Sequence, residues 1–408
     1  MASLAAPEGP VRGCRLFCHL VTPTALSAAL HDVPHSGIRE ISNLAAATPG
    51  AIHLEVGQPD HRTPAHIVEA AKRALDQGWH GYTPTAGLPS LRERVAEKLR
   101  RVNGIDVTGE QVVCGTGGAG VIAAAVLSLC NPGDEVLVPD PGWPNYGLTL
   151  AVGQARRVRY PCPAGLGFLP DLDRLEAMVT PRTRVLIVNS PNNPTGRVYP
   201  PDVLRRLGAI AEQHDLWVVS DECYDEVMLD GARVAPAMWH HADPDRVVTC
   251  CTFSKTYAMT GWRLGYAAAG ARVVDTMIKM IEGTTSCAAT VSQRAGEAAL
   301  DGPQGCVGEM VAAYRRRRDL VVDLLREAGL LTAVPEGAFY ILADVSPAGL
   351  DSLTFARRLL AERAVAVAPG SAFGAVADGA VRISLASSDQ DLREGVGRLC
   401  ELVGKLAG

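Results

Sequence analysis

The sequence predicts an α/β protein: a large domain with a central, mostly parallel sheet sandwiched by helices, and a smaller α+β domain beside it. Three observations carry this. Helical and strand patterns alternate from about residue 64 onward. Several strand segments are uninterrupted apolar runs, as expected of parallel strands covered on both faces. After about Ala271 the pattern turns largely helical, and short strands return in the last hundred residues.

Taken in order, residues 1–35 read as a loose N-terminal arm, Ala/Pro-rich and interrupted by Arg12, Arg15, His19 and Pro23. That is no signal-peptide core. Helices are predicted over 65–77, 90–101 and 120–129, the last stopped by Asn131-Pro132-Gly133. Strands are predicted over 111–114, 135–139, 185–189, 216–220 and 247–252. A long helix follows near 308–326, then short strands around 338–345 and 381–385. There is no internal repeat and no low-complexity linker. The expected division is an arm (1–35), a large domain (63–300) and a small domain built from 36–62 and 301–408.

With 408 residues, 47% apolar and 20% charged, the chain has ordinary soluble composition and is long enough for two domains. A formal charge of −5 draws it neither to nucleic acid nor to an anionic membrane. The dense basic run Arg315-Arg316-Arg317-Arg318 reads as a solvated helix face, because an isolated run in acidic surroundings makes a poor electrostatic footprint. Eleven cysteines include no CxxC pair, and Cys14, Cys18 and His19 lack a second pair of metal ligands. Free thiols in a reducing cytoplasm, with no metal, are the expectation. No apolar run is long enough to span a bilayer.

Gly115-Thr116-Gly117-Gly118-Ala119-Gly120 lies between a strand and a helix and satisfies GxGxxG. It admits a dinucleotide site, hence an NAD-dependent oxidoreductase. It equally admits any phosphate at a helix N-terminus, or a purely structural tight turn. A dinucleotide also wants an acidic residue closing the next strand. Asp140 stands there, but Pro141-Gly142-Trp143 follows it, a turn that carries an aromatic into a site. Lys255 ends a buried β run, which is costly for a lysine without a task. Thr252 and Ser254 just before it, and Arg263 eight residues on, suit a phosphate monoester held beside an imine. Desolvation and a nearby cation would keep the amine partly neutral and reactive. The plain alternative is a surface lysine. Asn189-Ser190-Pro191-Asn192-Asn193-Pro194-Thr195-Gly196 ends one strand and Ser220-Asp221-Glu222-Cys223-Tyr224 ends the next. Parallel strands deliver such ends to one crevice. Asp221 there is suited to a protonated pyridine nitrogen, and Asn193 and Tyr224 to a 3′-oxygen. Taken singly, they read as a helix cap and a turn.

These segments, with Tyr82-Thr83-Pro84, Gly337-Ala338-Phe339-Tyr340 and Val381-Arg382-Ile383-Ser384, resemble the class I/II aminotransferases. Those are fold type I enzymes dependent on pyridoxal 5′-phosphate (PLP), typified by aspartate aminotransferases. The resemblance runs from about Ile38 to near the C-terminus. It implies that Lys255 holds PLP as an imine and moves the substrate's proton, that Asp221 pairs with the pyridine nitrogen, and that Asn193 and Tyr224 contact the 3′-oxygen. It implies a phosphate cup of Gly118, Ala119 and Gly120 backbone with Thr252, Ser254 and Arg263, and a ring stacked on Trp143. Arg382 would clamp the substrate carboxylate, Gly57 would leave room for it, and Tyr82 would reach the partner's site in a homodimer. The implied reaction moves the amino group of an α-amino acid to a 2-oxo acid; another PLP reaction (elimination, substitution or condensation) is the alternative. Neither nucleic acid nor membrane is an implied partner.

Three departures stand out. Ala119-Gly120 replaces the Ser/Thr-Gln of many relatives. Glu282 stands near where dicarboxylate-specific relatives place an arginine, and reads as solvated. His61-Arg62 follows Asp60; Arg62 admits a substrate contact or a place on a loop, and the loop is the favoured reading. No strong preference for aspartate or glutamate is therefore expected from that device.

Overall fold

A computed structural model describes residues 37–408; the predicted arm, with Cys14, Cys18 and His19, lies outside the described residues. The chain opens on helix Gly37–Ala46 and a two-residue strand β1 (Ile52–His53). Seven strands then build the main sheet: β2 (Val112–Gly115), β3 (Glu135–Asp140), β4 (Arg156–Pro161), β5 (Thr183–Asn189), β6 (Trp217–Asp221), β7 (Val247–Thr252) and β8 (Gly265–Ala268). Their order is β2-β8-β7-β6-β5-β3-β4, and β8 alone runs against its neighbours. The mostly parallel sheet expected from the sequence is present.

Alternate side chains of each strand feed two cores. Val136, Val138, Val185, Ile187, Val219 and Val248 face one cluster, while Leu137, Leu186, Val188, Val218 and Val247 face the other. Period-two alternation inside an all-apolar run makes a strand that needs cover on both faces. Helix Gly117–Leu129 supplies it on the first face with Val121, Ile122 and Val126, and helix Pro201–Gln213 on the second with Leu204 and Leu207. Each such side chain contributes about 1.5–3 kcal/mol on burial.

The C-terminal part adds β9 (Tyr340–Asp344), β10 (Val365–Ala366), β11 (Ala368–Pro369) and β12 (Ala380–Ser384). β11, β12 and β9 form an antiparallel sheet, and β1 pairs in parallel with β10. Leu54 extends that tie, donating to Ala366 and accepting from Ser384. The N-terminal segment leading to Gly57 is thereby pinned beside β12, which carries Arg382.

The arginine run is not a solvated face. In helix Gly305–Glu327, Arg317 is 8% exposed; it grips Asp60 with Nη1 and Nη2 at 3.0 and 2.8 Å and reaches Asp389 with Nε at 3.2 Å. Arg315 and Arg318 donate to the Leu229 carbonyl at 3.1 and 2.8 Å. Of the four, Arg316 is exposed, paired with Asp389. Carboxylates and carbonyls from three distant segments converge on this helix, and long guanidinium side chains satisfy them while burying their stems. Among the described residues no helix is long and apolar enough to cross a membrane.

Candidate active site

The carboxyl ends of β5, β6 and β7 open on one cleft of about 410 Å³. Asp221, the last residue of β6, forms its floor at 4% exposure. Its Oδ2 accepts the Tyr146 hydroxyl at 2.5 Å and its Oδ1 the Cys223 N–H at 3.2 Å. Burial lifts its proton affinity above the ordinary carboxylate range, opposed by those donors and by the Lys255 charge.

Lys255 projects from the one-turn helix Phe253–Thr256 that follows β7. Its Nζ donates to the Gly57 carbonyl at 2.7 Å and lies 5.9 and 5.7 Å from the Tyr224 and Phe339 ring centres. Burial pushes its amine down to about 8, with help from the charges of Arg382 and Arg263 and against those of Cys223 and Asp221. A useful fraction is then neutral near neutral pH, as imine formation requires.

The phosphate region lies at the N-terminus of helix Gly117–Leu129, where unpaired N–H groups and the helix dipole favour an anion. Gly118 and Ala119 line the cleft there with Thr252, Ser254 and Arg263. The Thr252 hydroxyl caps the following turn by accepting the Ser254 N–H at 3.2 Å, and it donates to the Ser254 hydroxyl at 3.0 Å. Glycine is required twice: a Cβ on Gly117 would lie 2.6 Å from the Arg263 Nη2, and one on Gly118 2.8 Å from the Cys223 sulfur. Gly120 is not on the cleft wall; its bare Cα makes room for the Thr116 hydroxyl, which an added Cβ would meet at 2.4 Å.

On the opposite wall Arg382 is 3% exposed. Its Nη1 donates to Asn193 Oδ1 at 3.0 Å, its Nη2 to the Glu55 carbonyl at 2.5 Å, and its Nε is buried without a partner. The guanidinium lies 4.3 and 4.9 Å from the Tyr340 and Phe373 ring centres. Burial lowers its affinity for its proton. Tyr224 and Tyr340 share a hydrogen bond at 2.9 Å, and Trp143 stands at the cleft edge.

The structure thus gathers Gly57, Gly118, Ala119, Trp143, Asn193, Asp221, Tyr224, Thr252, Ser254, Lys255, Arg263 and Arg382 on one cleft. Tyr82 is 92% exposed and away from the cleft of its own chain; Arg62 and Glu282 are exposed and off it too. Sequence reasoning missed Tyr146, Tyr340 as a wall, and Ile38 and Ser42. The last two stand one helical turn apart on helix Gly37–Ala46 and line the cleft. That helix was not predicted. Tyr146 carried one signal: it follows Trp143 at i+3, on helix Asn145–Val152.

PLP fits this set: a partly neutral amine for its aldehyde, a buried carboxylate for its ring nitrogen, and a helix N-terminus with two hydroxyls and Arg263 for its phosphate. The unpartnered Nε of Arg382 is a donor left over for a carboxylate. Among the described residues no cluster of His, Cys, Asp or Glu is arranged to hold a metal ion.

Comparison with known proteins points the same way. The family model for aminotransferase class I and II matches residues 49–399. The chain is 40% identical over 357 residues to an aspartate/prephenate aminotransferase of Thermus thermophilus, covering 87% of this chain and 91% of the relative. It is 39% identical over 378 residues to aromatic-amino-acid aminotransferase 2 of Thermococcus litoralis, covering 92% and 97%. Among solved structures, the Thermus thermophilus aspartate aminotransferase with maleate matches with a TM-score of 0.87 at 38% identity, over 93% of this chain and 99% of that one. The aromatic aminotransferase of Pyrococcus horikoshii matches with a TM-score of 0.84 at 37% identity, over 90% and 99%.

Proposed function

The chain belongs to aminotransferase class I and II, and from that premise we propose how its cleft works, which amino acids it takes and how it assembles. It is a PLP-dependent aminotransferase of the fold type I class, exchanging amino groups between amino acids and oxo acids. What supports the assignment of residues is the meeting, in one cleft, of an amine lowered to about 8, a buried carboxylate and a buried guanidinium with a free Nε.

When bound, the cofactor supplies a carbonyl for amine exchange and a cationic ring that withdraws electrons. Lys255 would tether it, and its free amine would move the proton at the substrate Cα. Asp221 holds the ring nitrogen protonated. Arg263, Thr252, Ser254 and the Gly118 and Ala119 N–H groups hold the phosphate, and Trp143 covers the ring. Asn193 and Tyr224 hold the 3′-oxygen. Arg382 takes the α-carboxylate as a bidentate partner, giving up its present bonds to Asn193 and Glu55.

The rest of the cleft lining includes Ile38, Ser42, Val56, Gln58 and Thr260. Among the described residues lining it, Lys255, Arg263 and Arg382 are the cations, and each already has a task. A distal carboxylate finds no fourth, and a buried one without a partner is costly. Neutral and aromatic α-amino acids are therefore the favoured donors. The enzyme works as a homodimer in the cytoplasm, each site completed by the partner's Tyr82, which its own chain leaves exposed. The described cysteines are all free, as suits a reducing compartment.

The test is a screen of single amino acids against the yellow holoenzyme, with no oxo acid present. A true donor bleaches the imine absorption as the amino form of the cofactor accumulates, and an added 2-oxo acid restores it. Release of ammonia without that bleaching would instead assign an elimination.

A further inference from the structure

Tyr146 is fully buried and lies outside the cleft lining, yet its hydroxyl donates to Asp221 Oδ2 at 2.5 Å. Its ring stands edge-on to Trp143, with centres 5.5 Å apart. Both aromatics belong to the one turn that leads from β3 into helix Asn145–Val152. The segment that carries the ring-covering indole therefore also carries the latch on the carboxylate. Burial raises the Tyr146 phenol well above its ordinary range, with the Asp221 charge adding to it, so the hydroxyl keeps its proton and serves as donor. The other groups facing Asp221 are the Cys223 N–H and thiol and the Lys255 amine.

We propose that Tyr146 is a positioning residue for amino transfer: its hydroxyl fixes the rotation of Asp221 and holds the carboxylate's charge available to the cofactor's ring nitrogen. The inference rests on the assignment of Asp221 to that nitrogen. A buried carboxylate is tolerable in proportion to the donors it accepts. With the hydroxyl gone, Asp221 keeps the Cys223 N–H at 3.2 Å and the adjacent thiol, and its proton affinity rises. A proton between the carboxylate and the ring nitrogen would then lie further towards the carboxylate, and the bound ring would lose part of its anchor and of its cationic character.

The experiment uses holoenzyme loaded with PLP labelled with 15N in the ring, comparing wild type, Tyr146→Phe, Tyr146→His and Asp221→Ala. Phenylalanine keeps the packing against Trp143 and removes the donor. Tyr146→Phe is expected to move the ring-nitrogen resonance towards neutral pyridine and to weaken PLP binding at least about tenfold, the size expected for one hydrogen bond to a charged group. It should lower kcat with little change in KM, and histidine, which keeps a donor, should recover part of all three. If Tyr146→Phe does not fold, 3-fluorotyrosine at position 146, a stronger donor of nearly the same shape, is expected to tighten PLP binding. A resonance and a Kd for Tyr146→Phe equal to wild type, with Asp221→Ala shifted, overturn the role of Tyr146. So does a Kd unmoved by fluorotyrosine. A resonance that Asp221→Ala leaves in place overturns the assignment of Asp221 itself.

Discussion

Replacing Gly57 with alanine tests the carboxylate end of the cleft with a single methyl group. A Cβ there would lie 2.7 Å from the Tyr340 hydroxyl oxygen and 3.6 Å from its Cζ, while the backbone itself is outside the left-handed region and accepts any residue. The strain is therefore all in the contact. Tyr340 cannot swing aside freely: its ring is buried, stands edge-on to Tyr224, lies beside Arg382 and shares a hydrogen bond with Tyr224 at 2.9 Å. Overpacking costs about 1–3 kcal/mol and the displaced hydrogen bond about 1 kcal/mol. If roughly 2–3 kcal/mol of this falls on the substrate-bound state, kcat/KM drops about 30–150-fold. The assay is steady-state kinetics with an α-amino acid, beside an amine lacking the carboxylate, whose poor turnover should change far less. The nearest atom is the hydroxyl, so Gly57→Ala/Tyr340→Phe should recover part of the loss. A Gly57→Ala enzyme within threefold of wild type, or a double variant no better than the single, would refute the reasoning.

In the cofactor-free enzyme, reaction with PLP should speed up as pH rises through about 8, since the neutral Lys255 amine is the nucleophile; Arg263→Gln removes a facing cation and should move that inflection upward in stopped-flow traces. Asp389 is held down at about 2 by Arg316 and Arg317. A carboxyl depressed in the fold adds stability that is full above its unfolded value near 4 and is lost as pH falls towards 2. Urea midpoints of wild type should thus fall more steeply between pH 4 and 2 than those of Asp389→Asn, and parallel curves would contradict this. For donor choice, kcat/KM should favour neutral and aromatic amino acids over aspartate. A strong aspartate preference would mean that the distal carboxylate finds a cation in the partner subunit or another segment.

What could be read from the sequence was what local pattern dictates. β6 and β7 are apolar runs ending in Asp221 and Thr252, so their direction and their chemistry were legible together. β4 was invisible because it is an edge strand carrying Arg156, Arg157 and Arg159 where a central strand would be apolar. β8 is four residues long, one glycine and two alanines among them, too weak a β pattern to read. Arg317 was misjudged because its burial comes from Asp60 and Asp389, 257 and 72 residues away in sequence. Tyr146 escaped for the same reason, its partner lying 75 residues on. Long-range pairing leaves no periodic trace in the residue that makes it.

Every role assigned in the cleft follows from attachment of the cofactor to Lys255. Holoenzyme reduced with borohydride, digested and mapped by mass spectrometry should show one phosphopyridoxyl adduct, on the peptide containing Lys255. Adduct on any other lysine, with Lys255 recovered unmodified, would contradict it.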